Sequence, residues 1–406
     1  MNISKIKSVL LASGVTFMAI SMISLPEQSF EASIRGLQMW WEIVFPSLFP
    51  FFVISELLIG FGVVKFMGVL LEPLMRPLFR VPGVGGFAWA MGMATGFPAG
   101  AKLTARLRQE KQLTRTEAER LVSFTNSSSP LFIFGAVSVG FFHNPRLGIL
   151  LAVAHYLGNF CVGVMMRFYG KNEKNKVISK SLTKPIIVQA LSALHRTRLQ
   201  NKKPIGKLIG DAVISSIHTL LMIGGFIILF SVINKLLFHL NITLILASIV
   251  EYALTVLHLP RELSVPFIAG LFEITLGSRM TSQIEEANLM QQAIMASAIL
   301  GFSGLSVQAQ VASILATTDI RFKPFFAARI IHGFLSGLLT FILWKPFSLK
   351  FHLASTENTV VPVVLQEHDV WWENILHIFI KFGPLLTIVS LILYIFYYKK
   401  RMNSIT

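Results

Sequence analysis

Charged residues are scarce in this chain: only 14% of its 406 residues are Asp, Glu, Lys or Arg, against about a quarter in typical soluble domains. Acids are the rarer sign, with 20 Asp and Glu against 36 Lys and Arg. Cysteine is almost absent, because Cys161 is the only one. The shortage of charge disfavours an ordinary soluble enzyme, and a single Cys excludes a disulfide framework and a cysteine-rich metal site. What the chain has in abundance is apolar residues, 53% of the total.

Long apolar runs take up most of the sequence. A helix that crosses a bilayer needs about 20 mostly apolar residues, because roughly 30 Å of hydrocarbon is covered at about 1.5 Å per residue. The sequence predicts eight crossings of this kind: 8–25, 37–61, 121–142, 147–168, 208–237, 290–318, 324–346 and 375–397. The first has no small-residue cleavage site after it, so we expect a retained anchor rather than a signal peptide.

The basic residues orient these crossings. Lys and Arg in short loops favour the cytoplasmic side, and they are concentrated in 65–120, with nine, and in 171–207, with ten against the single acid Glu173. Eight crossings with both termini in the cytoplasm place each basic stretch inside. Nucleic-acid binding by 171–207 is disfavoured because the stretch has no aromatic residues, so it is predicted to be a cytoplasmic linker close to the lipid surface.

Two apolar segments are predicted to enter the membrane without crossing it. Residues 81–100 are rich in Gly and Pro but have basic residues on both sides, so a single crossing would move one basic cluster outside. A re-entrant hairpin that turns at 96–100 avoids this, and such backbone is tolerated only where it lines a cavity or is covered by protein. Residues 263–278 are similar, with a turn predicted at Thr275 to Ser278 and the acid Glu273 within the apolar run.

An offset of 177 residues aligns the two halves of the chain. Identity is no better than chance, but a turn, the base after it, a polar break in a helix and a mid-helix His all coincide. The charge pattern makes the two copies run in opposite directions. Inverted repeats with interrupted helices are typical of secondary transporters, whose solute site lies between the repeats. The aligned pairs include Gly100 with Gly277, Lys102 with Arg279, Thr104 with Thr281, Ser129 with Ser306 and His155 with His332.

Each half contains a crossing interrupted by small polar residues. In the first half Pro130 removes a backbone donor and disfavours helix at the residue before it, and in the second half the interruption is at 301–306. Freed backbone groups and hydroxyls at membrane depth suit a polar ligand, although helix packing through small residues is an alternative explanation. The predicted solute-binding residues lie in the two turns and the two breaks: Gly96, Pro98, Gly100, Lys102, Thr104, Asn126, Ser127, Ser128, Glu273, Thr275, Gly277, Ser278, Arg279, Ser303, Gly304, Ser306 and Gln308.

Three charged residues carry the chemistry of this prediction. Lys102 and Arg279 come two residues after the turn glycines, near the starts of returning half-helices, whose free N–H groups and positive dipole favour an anion. The alternative is that both side chains reach a membrane interface. Glu273 is an acid in a membrane segment, which usually marks an ion path, a proton relay or a solute contact. A plain ion pair with Arg279 is the other interpretation of Glu273.

One enzymatic interpretation has to be weighed. The segment Gly301 to Gly304 matches the GxSG pattern of intramembrane serine proteases, and His332 on the next crossing is a candidate base. The first half lacks the pattern and yet keeps His155, so the symmetry favours two buried polar residues that hold the bundle together. We therefore expect no enzymatic activity, no cofactor and no metal site.

The order of these parts resembles the concentrative nucleoside transporter architecture and its nucleoside-recognition (Gate) domain. Within that group, residues 33–61, 92–102 (GMATGFPAGAK), 124–137 (FTNSSSPLFIFGAV) and 270–278 (GLFEITLGS) are similar to the sporulation integral membrane proteins of endospore-forming Firmicutes. The resemblance covers nearly the whole chain. It implies a multi-pass protein of the mother-cell or outer forespore membrane that is needed for a mature spore cortex and is linked to moving dipicolinate toward the forespore.

The sequence thus predicts an all-α polytopic membrane protein with about eight transmembrane helices and two re-entrant hairpins in an inverted repeat. Its expected function is transport of a small organic anion, with dipicolinate the first expectation because that solute is small, planar and dianionic. A non-transporting scaffold or gate for spore-envelope assembly is the alternative. The predicted parts are an anchor helix (1–30), a Gate-like repeat (31–170), a basic linker (171–207), an inverted Gate-like repeat (208–346), an outer loop (347–374) and a C-terminal helix with a basic tail (375–406).

The expected partners are membrane lipids and the anionic solute. A second copy of the chain or other sporulation membrane proteins are left open as further partners, and nucleic acid is not expected. Coupling to protons through Glu273 or to sodium is also left open, because the residues that bind sodium in nucleoside transporters cannot be placed in this sequence.

Overall fold

A computed structural model describes residues 3–170, 185–200 and 203–351, and within them all regular structure is helical. The prediction of an all-α protein is therefore confirmed. The described α-helices are α1 (Ile3–Ser24), α2 (Pro26–Met39), α3 (Phe45–Gly60), α4 (Val63–Phe79), α5 (Val84–Thr95), α6 (Ala99–Gln109), α7 (Arg115–Thr125), α8 (Leu147–Met166), α9 (Ile186–Gln200), α10 (Ile205–His239), α11 (Ile242–Val256), α12 (Ser264–Phe272), α13 (Ile274–Ser282), α14 (Leu289–Phe302), α15 (Gly304–Leu315) and α16 (Phe322–Phe351).

Five stretches of the described chain are long and apolar enough to cross a membrane, and each matches a predicted crossing. They are Lys5–Ser24, Leu147–Met166, Ile205–His239, Leu289–Leu315 and Phe322–Leu349. The pair Leu48–Gly60 and Val63–Phe79 passes the same test but bends by 81° between its members, so the predicted crossing 37–61 continues into a second, sharply turned helix. The crossing 121–142 is broken into two short helices, and 375–397 lies outside the described residues. The count of eight crossings therefore stays a prediction.

The segment 81–109 forms a helical hairpin. Helices α5 and α6 are joined by a turn at Gly96, whose φ of 85° suits glycine. They pack closely because the Cα atoms at Gly92 and Gly100 carry no side chain, and a methyl group at either would meet the carbonyl of Thr125. This is the hairpin that the sequence predicts, while its entry into a membrane from one side stays a prediction.

The second hairpin, α12 and α13, turns two positions before the start of the turn that the sequence analysis predicts. The turn is at Glu273, whose backbone is extended with φ of −145°, and Thr275 to Ser278 are already helical. The predicted turn at Thr275 to Ser278 is wrong because the Glu273 carboxylate accepts backbone N–H groups and so starts the next helix. The offset of 177 residues places Glu273 on Gly96, which makes the two turns equivalent.

Both predicted helix breaks are present. Helix α7 ends at Thr125, the chain is non-helical from Asn126 to Ser129, and a π-helix follows over Leu131–Phe141. In the second half Ser303 has a left-handed backbone, with φ of 72°, between α14 and α15. The same order of hairpin, broken helix and unbroken helix thus occurs twice.

The unbroken helices of the two halves, α8 and α16, pack against each other at the centre. His155 and His332, which the offset aligns, lie with their ring centroids 4.7 Å apart, and Nε2 of His332 donates to the carbonyl of His155 at 2.8 Å. These two residues are therefore buried structural contacts between the halves. Residues 186–200 of the predicted basic linker form α9, which packs on α4 with Thr197 against Gly62.

Candidate solute cavity

A cavity of about 390 Å³ lies where the two hairpin turns meet the two helix breaks. Helices α3 and α10 close it on the apolar side. Its polar lining comes from all four interruptions, with Gly96 from the first turn, Glu273 and Thr275 from the second, and hydroxyls and an amide from the breaks. The residues that line it are Met39, Val44, Leu48, Thr95, Gly96, Phe97, Ser128, Ser129, Leu131, Phe132, Gly135, Ala136, Ile223, Ile227, Glu273, Ile274, Thr275, Ser306, Val307 and Gln310.

Some of the predicted site residues line the cavity, and others do not. Gly96, Ser128, Glu273, Thr275 and Ser306 line it. The remaining members of the breaks are buried, and so are those of the hairpins apart from Lys102 and Arg279. The predicted residues outside the lining are Pro98, Gly100, Lys102, Thr104, Asn126, Ser127, Gly277, Ser278, Arg279, Ser303, Gly304 and Gln308.

Buried polar atoms without a protein partner are concentrated at the breaks. Among the described residues, both amide atoms of Asn126, the hydroxyls of Ser127, Ser128 and Ser303, and Oε1 of Gln308 are buried and make no hydrogen bond. Leaving such an atom unsatisfied costs about 1–3 kcal/mol. Packing by small residues accounts for Gly and Ser at these positions, but it gives no reason for bringing so many unpaired polar atoms together.

Glu273 occupies the positive end of its own half-helix. Its carboxylate accepts the N–H groups of Thr275 at 2.9 Å and Leu276 at 2.7 Å. The donors that the sequence analysis assigns to an anionic solute at this turn are therefore already used. Arg279 is exposed on α13 and does not line the cavity, and within the described part of the chain it forms no ion pair with Glu273.

Lys102 is paired with an acid that the sequence analysis does not consider. Its Nζ lies 3.4 Å from Oε1 of Glu56, and the side chains of the two residues are only 14% and 15% exposed. The ammonium also lies over the ring of Phe52, 4.7 Å from its centroid. Because α3 presents Phe52 and Glu56 one turn apart, Lys102 is held below the cavity instead of lining it.

This ion pair separates the apolar cavity from a second, charged one. The second cavity has a volume of about 440 Å³ and includes Glu56, Arg106, Lys203 and Asp211 in its lining. Between the two lie the buried side chains of Phe52, Ala99 and Leu220, which pack together. Helices α3 and α10 line both cavities, with an apolar layer and one ion pair between them.

Arg329 on α16 is the functional candidate that the sequence analysis misses. Its side chain is fully buried and donates to the carbonyls of Asn126, at 2.7 Å, and Ser123, and to Oδ1 of Asn159 at 3.2 Å. One guanidinium nitrogen lies 3.0 Å from Nδ1 of His332. The signal is present in the sequence, since Arg329 is a strong base inside a predicted apolar crossing.

His155 and His332 are both engaged in this network. His332 uses one ring nitrogen toward Arg329 and the other toward the carbonyl of His155, while Nε2 of His155 accepts the N–H of Ser128 at 3.0 Å. The hydroxyl of Ser303 has no hydrogen-bond partner among the described residues. A Ser303 and His332 pair of the kind that a serine protease needs is therefore not formed.

The end of the bundle that carries α6 and the start of α7 is joined to the loop 316–321 by ion pairs. Arg108 binds Asp319 through two nitrogens, at 2.8 and 2.7 Å, and the Arg108 guanidinium lowers the pKa of Asp319 below its ordinary value. Buried Glu119 accepts from Arg321 at 2.7 Å. These contacts connect the first half of the chain with the loop that precedes α16.

The chain is similar to one family model, to a curated relative and to solved structures. The family model described as "Nucleoside recognition" (Gate) matches residues 41–160. The sporulation integral membrane protein YlbJ of Bacillus subtilis (strain 168) is 55% identical over 405 residues, which cover 100% of this chain and 99% of that protein. Among solved structures, CNTnw in an inward-facing substrate-bound state is 14% identical with a TM-score of 0.40, covering 84% of this chain and 88% of that one. A CNTnw variant in an outward-facing state is 14% identical with a TM-score of 0.42, covering 86% and 87%.

Proposed function

Because this chain belongs to the family of sporulation integral membrane proteins, we propose that it is a carrier that moves a small organic anion, dipicolinate, from the mother cell toward the forespore. The proposed location is the mother-cell or outer forespore membrane, with both termini in the cytoplasm. In this role the protein supplies a solute needed for a mature spore and acts as a transporter, not as an enzyme.

The observation that supports transport is the position of the solute cavity. It lies between two hairpin turns and two helix breaks, one of each from either half of the chain. In secondary transporters the solute site lies between the repeats, where broken helices expose backbone and polar side chains. The hydroxyl of Ser128, which lines the cavity and has no protein partner among the described residues, supplies a donor for a carboxylate oxygen, and the apolar walls suit the flat face of an aromatic ring.

The charge of the lining suggests how a dianion is accommodated. Among the described residues that line the cavity, Glu273 is the only ionisable one. Two carboxylates of a bound solute would strongly repel an ionised Glu273 in this cavity, where charges are screened less than in water. We therefore propose that Glu273 carries a proton when the anion is bound, so that solute and proton cross together.

A nucleoside is the second candidate solute, and a specific observation favours it. Glu273 and the amide of Gln310 lie in the same cavity, and such groups bind sugar hydroxyls and base edges. The matching family model is described as "Nucleoside recognition". A scaffold that transports nothing is the alternative of a different class.

The decisive measurement is uptake by vesicles that contain the purified protein. Dipicolinate entry is followed by its luminescence with terbium trapped inside, with and without an imposed pH gradient and with uridine or adenosine as competitor. We expect uptake well above that of empty vesicles, acceleration when the outside is acidic, and no effect of nucleosides. Inhibition by nucleosides would favour the second candidate, and no uptake of either solute would favour the scaffold.

Glu273→Gln tests the proton step. Glutamine still accepts one N–H bond at the start of α13, so we expect a folded protein whose dipicolinate uptake no longer responds to the pH gradient. Glu286→Gln is the matched control, because Glu286 is an exposed acid of the same half. An unchanged response to pH in Glu273→Gln would contradict proton coupling through this residue.

A further inference from the structure

The buried guanidinium of Arg329 has no acidic partner among the residues that the structure describes. Within the described part of the chain its contacts are with uncharged groups: two backbone carbonyls, the side-chain amide of Asn159, the ring of His332 and the face of the Phe325 ring. Its Nε makes no hydrogen bond among the described residues. Arg stays protonated in proteins, even when it is buried.

A charge in this position is unusual on structural grounds alone. Buried charges are generally paired with an opposite charge, because removing an ion from water is costly. The carbonyls at the end of α7 offset part of that cost, since a helix C-terminus carries partial negative charge. A neutral donor such as Gln would hold two carbonyls without bringing a full positive charge into the bundle.

The charge lies directly behind the cavity wall. Arg329 holds the carbonyl of Asn126, and two residues further along the same non-helical segment Ser128 lines the cavity. Ser128 is fixed from the same network, because its N–H is donated to His155 and its carbonyl accepts from the hydroxyl of Tyr156 at 3.0 Å. The hydroxyl of Ser128 has no protein partner. The first break therefore presents one free hydroxyl, that of Ser128, to the cavity, with a permanent cation behind it.

We propose that Arg329 determines the charge selectivity of the solute cavity. Its field, weakly screened in the buried surroundings, favours an anion at the first break and compensates for the absence of Lys or Arg from the described lining. It is a specificity residue that acts through the broken helix without touching the solute. This inference rests on the proposed transport function and adds to it the source of the positive potential, which the sequence analysis assigns to Lys102 and Arg279.

The test compares a dianion with a neutral molecule of the same shape. Uptake of dipicolinate and of pyridine-2,6-dicarboxamide is measured in the same vesicles for the wild type and for Arg329→Gln and Arg329→Lys. We expect Arg329→Gln to lower dipicolinate uptake at least tenfold while uptake of the diamide changes less than twofold. Arg329→Lys keeps the charge and is expected to retain most of the preference for the dianion.

A second variant keeps the arginine in place. Asn159→Asp puts a carboxylate where Oδ1 now accepts from Arg329 at 3.2 Å, so it neutralises the charge and keeps that contact, while it removes the hydrogen bond that Nδ2 donates to the carbonyl of Phe124. We expect it to reduce the ratio of dipicolinate to diamide uptake as Arg329→Gln does. This arm remains informative if Arg329→Gln fails to fold.

The outcomes separate the two proposals. An equal fall in uptake of both solutes in Arg329→Gln, or an unchanged ratio in Asn159→Asp, would show that Arg329 only holds α7 and α16 together and would overturn the inference. A wild-type protein that carries neither solute would instead overturn the proposed function, and the inference with it.

Discussion

The ion pair between Lys102 and Glu56 allows a quantitative prediction. Coulomb's law with an effective dielectric constant of about 20 gives about 5 kcal/mol at the observed separation of 3.4 Å. The charged cavity below the pair admits solvent, so we halve this value and expect Lys102→Met or Glu56→Gln alone to lower the free energy of unfolding by about 2–3 kcal/mol. The double variant leaves no unpaired buried charge, and we expect it to lose less than about 1 kcal/mol.

Thermal unfolding in detergent, followed by circular dichroism, measures this cycle. Both single variants should unfold several degrees below the wild type, and the double variant should recover most of the loss. Arg279→Met is the control, because it removes an exposed base of the other half. Its unfolding temperature should be close to that of the wild type. Losses that simply add in the double variant would mean that the two side chains do not interact, which would refute the assignment.

The same variants separate two roles of Lys102 in transport. If Lys102 bound the solute, Lys102→Met and the double variant would lose dipicolinate uptake to the same extent. The observed pairing with Glu56 predicts instead that the double variant regains uptake, since the solute cavity does not include Lys102. Equal loss in both variants would restore Lys102 as a solute ligand.

Two further predictions concern packing and the charged end of the bundle. Gly277→Ala should destabilise the protein by about 1–3 kcal/mol, because the added methyl group meets the backbone of Gly270. Gly225→Ala is the matched control, because the space around Gly225 is open. Equal melting temperatures of the two variants would contradict the contact. Arg108 lowers the pKa of Asp319 in the folded protein. At pH values above the ordinary carboxyl pKa near 4, the pair stabilises the fold by about 0.5 kcal/mol. This stabilisation is lost as the pH falls through the lowered pKa of the folded state. The melting difference between wild type and Asp319→Asn should therefore shrink as the pH falls below about 4, and a constant difference would argue against the pair.

The helices, the turns and the breaks follow from local properties of the chain. Apolar runs of sufficient length predict five of the crossings, because helix formation at membrane depth depends on the segment itself. Pro130 marks the first break for a similar reason, since it lacks a backbone donor whatever surrounds it. The second turn lies at Glu273 and not at the predicted position. The sequence alone does not distinguish an acid that caps a helix from an acid that binds a solute.

The content of the solute cavity depends on contacts between distant residues. Lys102 meets Glu56 across 46 positions, and Arg329 meets Asn126 across 203. Neither encounter has a local signal, so a sequence reading assigns each base to its nearest turn or overlooks it. The sequence by itself determined that this is an all-helical membrane protein with two hairpins and two broken helices, because these features are set within short segments. Only the tertiary structure decided which polar groups face the cavity and where the positive charge lies, because charge and burial are properties of packed neighbours.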